Sequence, residues 1–450
     1  MPSVQFGLSS YQRGRGDLPE LPVINAYAEE APTEETGVVL QSRPGIEDRG
    51  ADMGSGPVRQ LFQRSGVLDD SLFGVSGSSL YRGETLLGTI DGDGPVSMAG
   101  NEMGLMVAAV GDVGYYNGTA LATVTFPDGA AVRKVFQGGS RFWFIRDGTG
   151  KVYFTGALGV TVTGLNFVTA ESAPDELLDG LWIDDGAVLF GAETVEFWPN
   201  TQDDDLPIQP LEGRVIEKGI RATGCAAAFG PTFAWVTNEN QVCIENEQGV
   251  ISNPGLQARI EASGSVRLFT FLLDGNECLA LRLDTETHVY HSRSGAWSEF
   301  QSYGEDNWVP QCWAGNVFGS GVDGKTLRWS EGHEDLGGQL ERRFRGGFPI
   351  NSGGVSINSV RMRCNMGQTP FLTGDYTAPV VEMRLSRDAG QTWGPWKASA
   401  LGAQGHYRTQ PHWRALGMAS QPAFLAEWRV TAPVDWRVSD VLVNEPLGGR

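Results

Sequence analysis

The feature that most constrains this chain is a rhythm. From about residue 59 to 340 a short apolar stretch runs into Asp-Gly, Asn-Gly or Ser-Gly, and a second apolar stretch follows. Asp-Gly begins at Asp91, Asp93, Asp128, Asp147, Asp179, Asp185, Asp274 and Asp323, and Asn-Gly at Asn117. Such dipeptides suit hairpin turns, whose central residues need the positive φ that Asn, Asp and Gly tolerate best. The flanking runs are aromatic and β-branched, as pleated strands prefer. Arg141-Phe142-Trp143-Phe144-Ile145 precedes Asp147-Gly148 and then Lys151-Val152-Tyr153-Phe154-Thr155. Leu268 to Leu273 precedes Asp274-Gly275, then Cys278 to Leu283 and His288-Val289-Tyr290. Units begin near residues 59, 95, 132, 178, 224, 266 and 312. That is roughly the period of a four-stranded propeller blade. The expectation is an all-β fold with a β-propeller-like repeat domain of six or seven blades over residues 51–340. A chain of β-sandwiches is the alternative.

The flanks differ. Residues 1–50 carry Pro19, Pro22, Pro32 and Pro44 and the acidic pairs Glu29-Glu30 and Glu34-Glu35. They read as an extended N-terminal arm, which has no core of its own and lies on a neighbouring domain or subunit. After residue 340, Arg342, Arg343 and Arg345 precede paired glycines in a linker or crossing strand. Residues 356–364, 380–386, 424–431 and 436–443 then alternate as strands. Residues 341–450 are therefore expected to form a C-terminal antiparallel β-sheet domain. A short helix is expected near Pro174-Asp175-Glu176-Leu177-Leu178.

Charge excludes whole classes of function. The chain carries 54 acidic and 34 basic side chains, a net of −20. Affinity for nucleic acid comes largely from Lys and Arg displacing counterions, so a DNA or RNA clamp is excluded, as is docking on anionic lipid. A surface that touches nucleic acid without holding it is compatible. The start, Met1-Pro2-Ser3-Val4-Gln5-Phe6, lacks the charged and apolar regions of an export signal, and no membrane anchor is expected. The five cysteines are an odd number without a C-x-x-C pair, and read as reduced, buried thiols of a protein made in a cytoplasm.

One motif is sharp. Ser386-Arg387-Asp388-Ala389-Gly390-Gln391-Thr392-Trp393 matches the Asp-box, S-x-D-x-G-x-T-W. Its residues Ser386, Asp388, Gly390, Thr392 and Trp393 are expected to build a hairpin turn. The carboxylate accepts turn amides, the glycine takes a conformation strained for other residues, and Trp393 packs beneath. A sialidase would need several boxes, an arginine cluster and a Tyr/Glu pair, whereas a single box is evident. His288 and His291, three apart on a strand, point to opposite faces and cannot share a metal ion. Asp91 with Asp93, and Asp203-Asp204-Asp205, read as solvated turns and not as calcium ligands. No P-loop, dinucleotide fingerprint or G-x-S-x-G elbow appears. The residues thus predict no catalysis, no metal and no cofactor.

Five blocks together resemble a known family. They are Asn25-Ala26-Tyr27-Ala28-Glu29 leading to Ser42-Arg43-Pro44-Gly45-Ile46, and Ser79-Leu80-Tyr81-Arg82-Gly83-Glu84 leading to Gly94-Pro95-Val96-Ser97-Met98-Ala99. Next come residues 188–198 with Ile216-Glu217-Lys218-Gly219-Ile220, then residues 384–393, then Gly405-His406-Tyr407-Arg408 with Trp413-Arg414-Ala415-Leu416-Gly417. In this order they resemble the tail hub proteins of short-tailed bacteriophages, the packaged-DNA stabilisation proteins. The likeness spans nearly the whole chain and is sparse from about residue 250 to 370. It implies a virion component made in the host cytoplasm: copies in a hexameric ring below the portal, against a tail adaptor or head-completion protein. Such a ring carries a needle, fibres or tailspikes and passes double-stranded DNA without sequence-specific binding. Some excess acidic residues are then expected to line the bore, with Asp203, Asp204 and Asp205 as candidates. A glycan-binding or sialidase-like propeller is the alternative.

Overall fold

Seven four-stranded antiparallel units follow one another along the chain. The structure is a computed structural model that describes residues 5–6, 9–10, 20–31, 37–129, 131–170, 175–245, 249–305, 307–350, 353–367, 376–420 and 423–444. Blade 1 is Val58–Phe62, Phe73–Ser76, Ser79–Arg82 and Thr85–Thr89. Blades 2 to 6 begin with Asp93–Asn101, Val132–Gly138, Leu177–Ile183, Ala226–Phe229 and Arg267–Leu273. Blade 7 comprises Pro310–Ala314, Val317–Ser320 and Lys325–Trp329, and its outermost strand is Ile46–Asp52, from the other end of the chain. The first strands neighbour one another in a circle, and Pro310–Ala314 lies against Val58–Phe62. This is a seven-bladed β-propeller, all-β as expected, with blades starting where the hairpin rhythm marks them.

The second strands explain the continuous apolar runs. In blade 3, Phe142, Trp143, Phe144 and Ile145 are all buried, because successive side chains point to opposite faces and each face meets a blade. Phe142 and Phe144 pack with Met106 and Ala108 of blade 2, whereas Trp143 and Ile145 pack with Leu189 and Trp198 of blade 4. Burying such a side chain contributes about 1.5–3 kcal/mol, so these interfaces dominate the stability of the ring. Gly138 is required here. A Cβ on it would lie 1.8 Å from the indole of Trp182, which stacks on Trp143 with ring centroids 5.6 Å apart.

Local turn chemistry holds with adjustments. Asp274 and Gly275 take φ of +50° and +76° as a hairpin turn requires. In the next example the turn pair is Asp184-Asp185, one residue earlier than expected, because Ile183 pairs with Gly186. Asp179-Gly180 and Asp93-Gly94 are not turns. They lie in the first strands of blades 4 and 2, beside register shifts. The helix expected near residues 174–178 is instead strand Leu177–Ile183, and Pro174 lies outside the described residues. Its Leu177 and Leu178 are buried, and tertiary packing overrides local propensity. A helix does form at Pro254–Ala262, where Asn253 accepts from the Leu256 amide and proline opens the first turn.

Among the described residues of 1–50, the strands pair within the same chain. Val23–Ile24 lies between Ala296–Phe300 of blade 6 and Arg342–Pro349, so the blade 6 sheet continues without a break beyond the propeller. Pro19, Pro32 and Glu34-Glu35 lie outside the described residues. Arg342–Pro349, read as a linker or crossing strand, leads that continuation through Ala423–Val430 and Val380–Ser386 to Lys397–Ala400. A second sheet orders Ala26–Glu30, Val38–Ser42, Arg437–Val443, Gly354–Cys364 and His412–Ser420. The two enclose Phe344, Met362, Met383, Trp413, Phe424, Trp428, Trp436 and Val441, which makes a β-sandwich. Cys225, Cys243, Cys278 and Cys312 are buried free thiols, and Cys364 is half-buried.

Propeller and sandwich meet at one buried ion pair. Arg43 and Asp335 are fully buried, with Nη1 3.1 Å from Oδ1. Arg43 also donates to Asn25 Oδ1 at 2.8 Å and to the carbonyls of Pro44 and Gln301 at 2.9 Å. Asp335 further accepts the Ile46 and Tyr303 amides at 3.1 and 3.2 Å. The pair thus joins the sandwich, blade 6, the closing strand and the exit from blade 7. Removing one member of such a pair leaves an uncompensated charge and costs about 3–5 kcal/mol. Asp335→Asn and Arg43→Met should each lower the chemical-denaturation midpoint accordingly. The double variant Arg43→Met/Asp335→Leu should lose less than the sum of the two, and strict additivity would show that the residues act independently.

Candidate functional site

The Asp-box turn follows strand Val380–Ser386. Asp388 Oδ1 accepts from the Thr392 amide and the Ser386 hydroxyl, each at 2.8 Å, and Oδ2 accepts from the Thr392 hydroxyl. The Ser386 oxygen accepts the Gly390 amide at 2.8 Å. Ala389 and Gly390 take φ of +57° and +92°. The Thr392 hydroxyl and amide, with Ser386, hold the Asp388 carboxyl down to about 2. An acid so strongly ionised by local donors is a poor proton donor near neutrality.

Trp393 corrects one expectation. It is half-buried and does not sit beneath the turn as a core residue. Its ring is covered by the guanidinium groups of Arg345 and Arg384, at 4.8 and 5.0 Å from the centroid. Trp396 likewise meets Arg384 at 4.5 Å and Arg429 at 4.1 Å. These arginines share one sheet face by strand registry. Glu427 sits opposite Arg345 on one side and Arg384 on the other, and Arg429 sits opposite Arg343 and Glu382. Glu427 is fully buried and accepts from Arg345 Nε at 2.7 Å and from Arg384, while Arg429 Nε donates to Glu382 at 2.7 Å. Glu341 lies 3.6 Å from both Arg343 and Arg429.

The arginine cluster that a sialidase would require is therefore present, but its guanidinium groups face carboxylates of their own sheet. Beside it lies a depression of about 370 Å³. Arg384, Arg387, Trp393 and Lys397 line it, and no carboxylate does among the described residues. Most glycoside hydrolysis uses a pair of carboxyl groups and sialidases a tyrosine nucleophile, and the residues lining this depression include neither carboxylate nor tyrosine. Sequence reading missed the ladder because its members are tens of residues apart. The signal available was the alternation of arginine and apolar residues in 343–345 and the glutamate and arginine on either side of Trp428.

The other candidates are dispersed. His291 is fully buried, with Nε2 2.8 Å from Ser298 Oγ and its ring stacked on Tyr27. Burial pushes it down to about 3, so it stays neutral. His288 lies 3.3 Å from Glu286, and no group of three ligating side chains occurs among the described residues. Asp203 accepts the Asp205 and Leu206 amides at 2.8 and 3.0 Å, which lowers its carboxyl. Asp204 pairs with Arg141 of blade 3 at 2.5 Å. Asp91 donates its amide to Asp112.

A family model described as "Bacteriophage P22 Gp10, beta-propeller" matches residues 4–308. The tail hub protein gp10 of Salmonella phage P22 is 29% identical over 215 residues, 44% of this chain and 44% of that protein. The chain thus spans less than half of that relative's length in the match. Among solved structures, the Cps50 (Swd1) β-propeller domain of Myceliophteria thermophila is similar at 9% identity and a TM-score of 0.41, covering 63% of this chain and 100% of that one. YCF48 from Cyanidioschyzon merolae is similar at 11% and 0.40, covering 63% and 98%. BamB from Moraxella catarrhalis is similar at 12% and 0.35, covering 65% and 99%.

Two outcomes follow from the turn. Its carboxyl is depressed on folding, so the associated stability is present above the usual aspartate pKa of about 3.9 and is lost as pH falls through about 2. Asp388→Asn should melt below wild type near neutrality, and the gap should close between those pH values. A gap that stays constant with pH would show that charge plays no part. Trp393→Ala removes two exposed cation–π contacts, about 0.5–1 kcal/mol each, and not a core aromatic at about 3–5 kcal/mol. Its unfolding free energy should fall by about 1–2 kcal/mol in total.

Proposed function

The chain belongs to the family described as bacteriophage P22 Gp10, β-propeller, and from that membership we propose that it is a structural subunit of a phage tail hub. The family match runs through the N-terminal strands and six blades, and this single observation carries the reading. The subunit would take its place in a ring of six copies below the portal, against an adaptor or head-completion protein. It would extend the DNA channel, help to retain packaged DNA, and hold the needle, fibres or tailspikes that close it.

Physical features favour this role. The interfaces among blades 2, 3 and 4 are aromatic and closely packed, and the blade 6 sheet continues into the sandwich, so the subunit transmits load without a hinge. A net charge of −20 keeps phosphate from adhering during passage. Repulsion would reach about a Debye length, roughly 8 Å at physiological salt, enough to cover a narrow bore. Asp203, Asp204 and Asp205, exposed on blade 4, remain the candidates for that lining. The Asp-box residues Ser386, Asp388, Gly390, Thr392 and Trp393 would serve as a structural turn, and catalysis has no part in the proposal. The glycan-binding reading has one Asp-box and a depression without carboxylates in its favour, which is less.

Cryo-microscopy of assembled particles tests this directly. The expected result is a coaxial ring of this subunit around the DNA, with acidic side chains on the bore. A single copy on the particle periphery, or a strongly basic bore, would overturn it.

A further inference from the structure

The axis of the propeller itself is unlike the rest of the chain. Two adjoining cavities of about 210 and 300 Å³ lie among the first strands of the blades, and both are bordered by Pro95 and Arg267. The larger is lined by Arg59, Arg267 and Arg282, and no carboxylate lines either cavity among the described residues. Nearby cations are neutralised: Lys134 by buried Asp179, Arg133 by Asp147 and Glu176. Arg267 and Arg282 are different. They sit directly opposite one another on neighbouring strands of blade 6. Like charges so placed repel.

Their contacts are with neutral groups. Arg267 Nη2 donates to Gln60 Oε1 at 2.5 Å, and Arg282 Nη1 donates to the carbonyls of Pro310, at 3.1 Å, and Trp308. Arg59 donates to the carbonyls of Gly77, Gly92 and Gly94. Burial and Arg267 push the Arg282 guanidinium down to about 10, and burial with Arg59 pushes Arg267 down too. A protein with a large excess of acidic residues has thus placed Arg267 and Arg282 side by side at its axis, and among the described residues no carboxylate pairs with either.

We infer that this axial cavity binds a small multivalent oxyanion of the phosphate class, held by the forks of Arg267 and Arg282. Planar guanidinium groups match phosphate oxygens in bidentate geometry, and enclosure strengthens the attraction. The cavity admits an ion and a few waters, not a nucleic-acid duplex, so the site is distinct from any contact with passing DNA and stands apart from the tail-hub reading.

Calorimetric titration of the full chain with inorganic phosphate, against chloride at equal ionic strength, tests it. The expected result is saturable binding at one site per chain. Arg267→Gln and Arg282→Gln should each weaken it at least tenfold, whereas Arg387→Gln on the sandwich should leave it unchanged. Without phosphate, Arg267→Gln, which releases the Gln60 side chain and no backbone carbonyl, should melt at or above wild type because one of two repelling charges is gone; a purely structural arginine would lower it. Arg267→Lys, which keeps the charge and loses the fork, should bind with intermediate affinity and covers the case in which a glutamine variant fails to fold. Absence of saturable phosphate binding in wild type, undiminished binding in the axial variants, or equal loss in Arg387→Gln would overturn the proposal.

Discussion

Ring closure governs this structure. A propeller is a circular sheet assembly built from a linear chain, so one blade must be completed from both ends or left with an open edge. Here Ile46–Asp52 supplies the outermost strand of blade 7, pairing with Lys325–Trp329. Everything near the junction follows from that exchange. The chain enters the ring beside the place where it leaves, so the segments before residue 46 and after residue 340 share one sandwich. The fully buried Arg43 and Asp335 occupy the crossing, where backbone groups from four elements converge and need partners.

Much of the propeller was legible because its information is local. Paired apolar runs with a turn between them determine a hairpin, and the recurrence of hairpins determines blades. The fourth strands were harder: Val215–Ile216 and Gly249–Val250 are two residues long and mostly exposed, and show no alternation to read. The closing strand Ile-Glu-Asp-Arg-Gly-Ala-Asp was hidden for the same reason, since an outer edge buries little and tolerates polar side chains. The Asp-box could be found because its hydrogen bonds lie within residues 386–392. The ladder around Glu427 could not, because Arg345 and Arg384 reach it from 82 and 43 residues away through strand registry alone.

Carboxylates dominate the composition, yet several large buried or enclosed polar side chains are arginines. Arg342 is fully buried, donates to the carbonyls of Val434 and Ala432, and is pushed down to about 9 by burial. Arg43 secures the junction, and Arg267 and Arg282 border the axis. The guanidinium group suits these sites: it offers five donors in a plane and meets backbone carbonyls that no other strand can satisfy. Buried carboxylates are met by cations: Asp335 by Arg43, Asp179 by Lys134, and Glu427 by Arg345 and Arg384.

The sandwich holds a further consequence, in the order of events at the ribosome. Val38–Ser42 pairs with Arg437–Val443, and Val23–Ile24 pairs with Arg342–Pro349. Strands made first must wait for strands made last. Throughout synthesis of the intervening blades, two apolar N-terminal strands lack the late strands they pair with, and the closing strand Ile46–Asp52 has no partner until the third strand of blade 7 emerges. Such long sequence separation slows folding and exposes unpaired edges to other nascent chains. Glu29, Glu30, Glu47 and Asp48 on these early strands pair in the folded chain with Arg437, Arg293, Arg328 and Lys325, partners that are all made late.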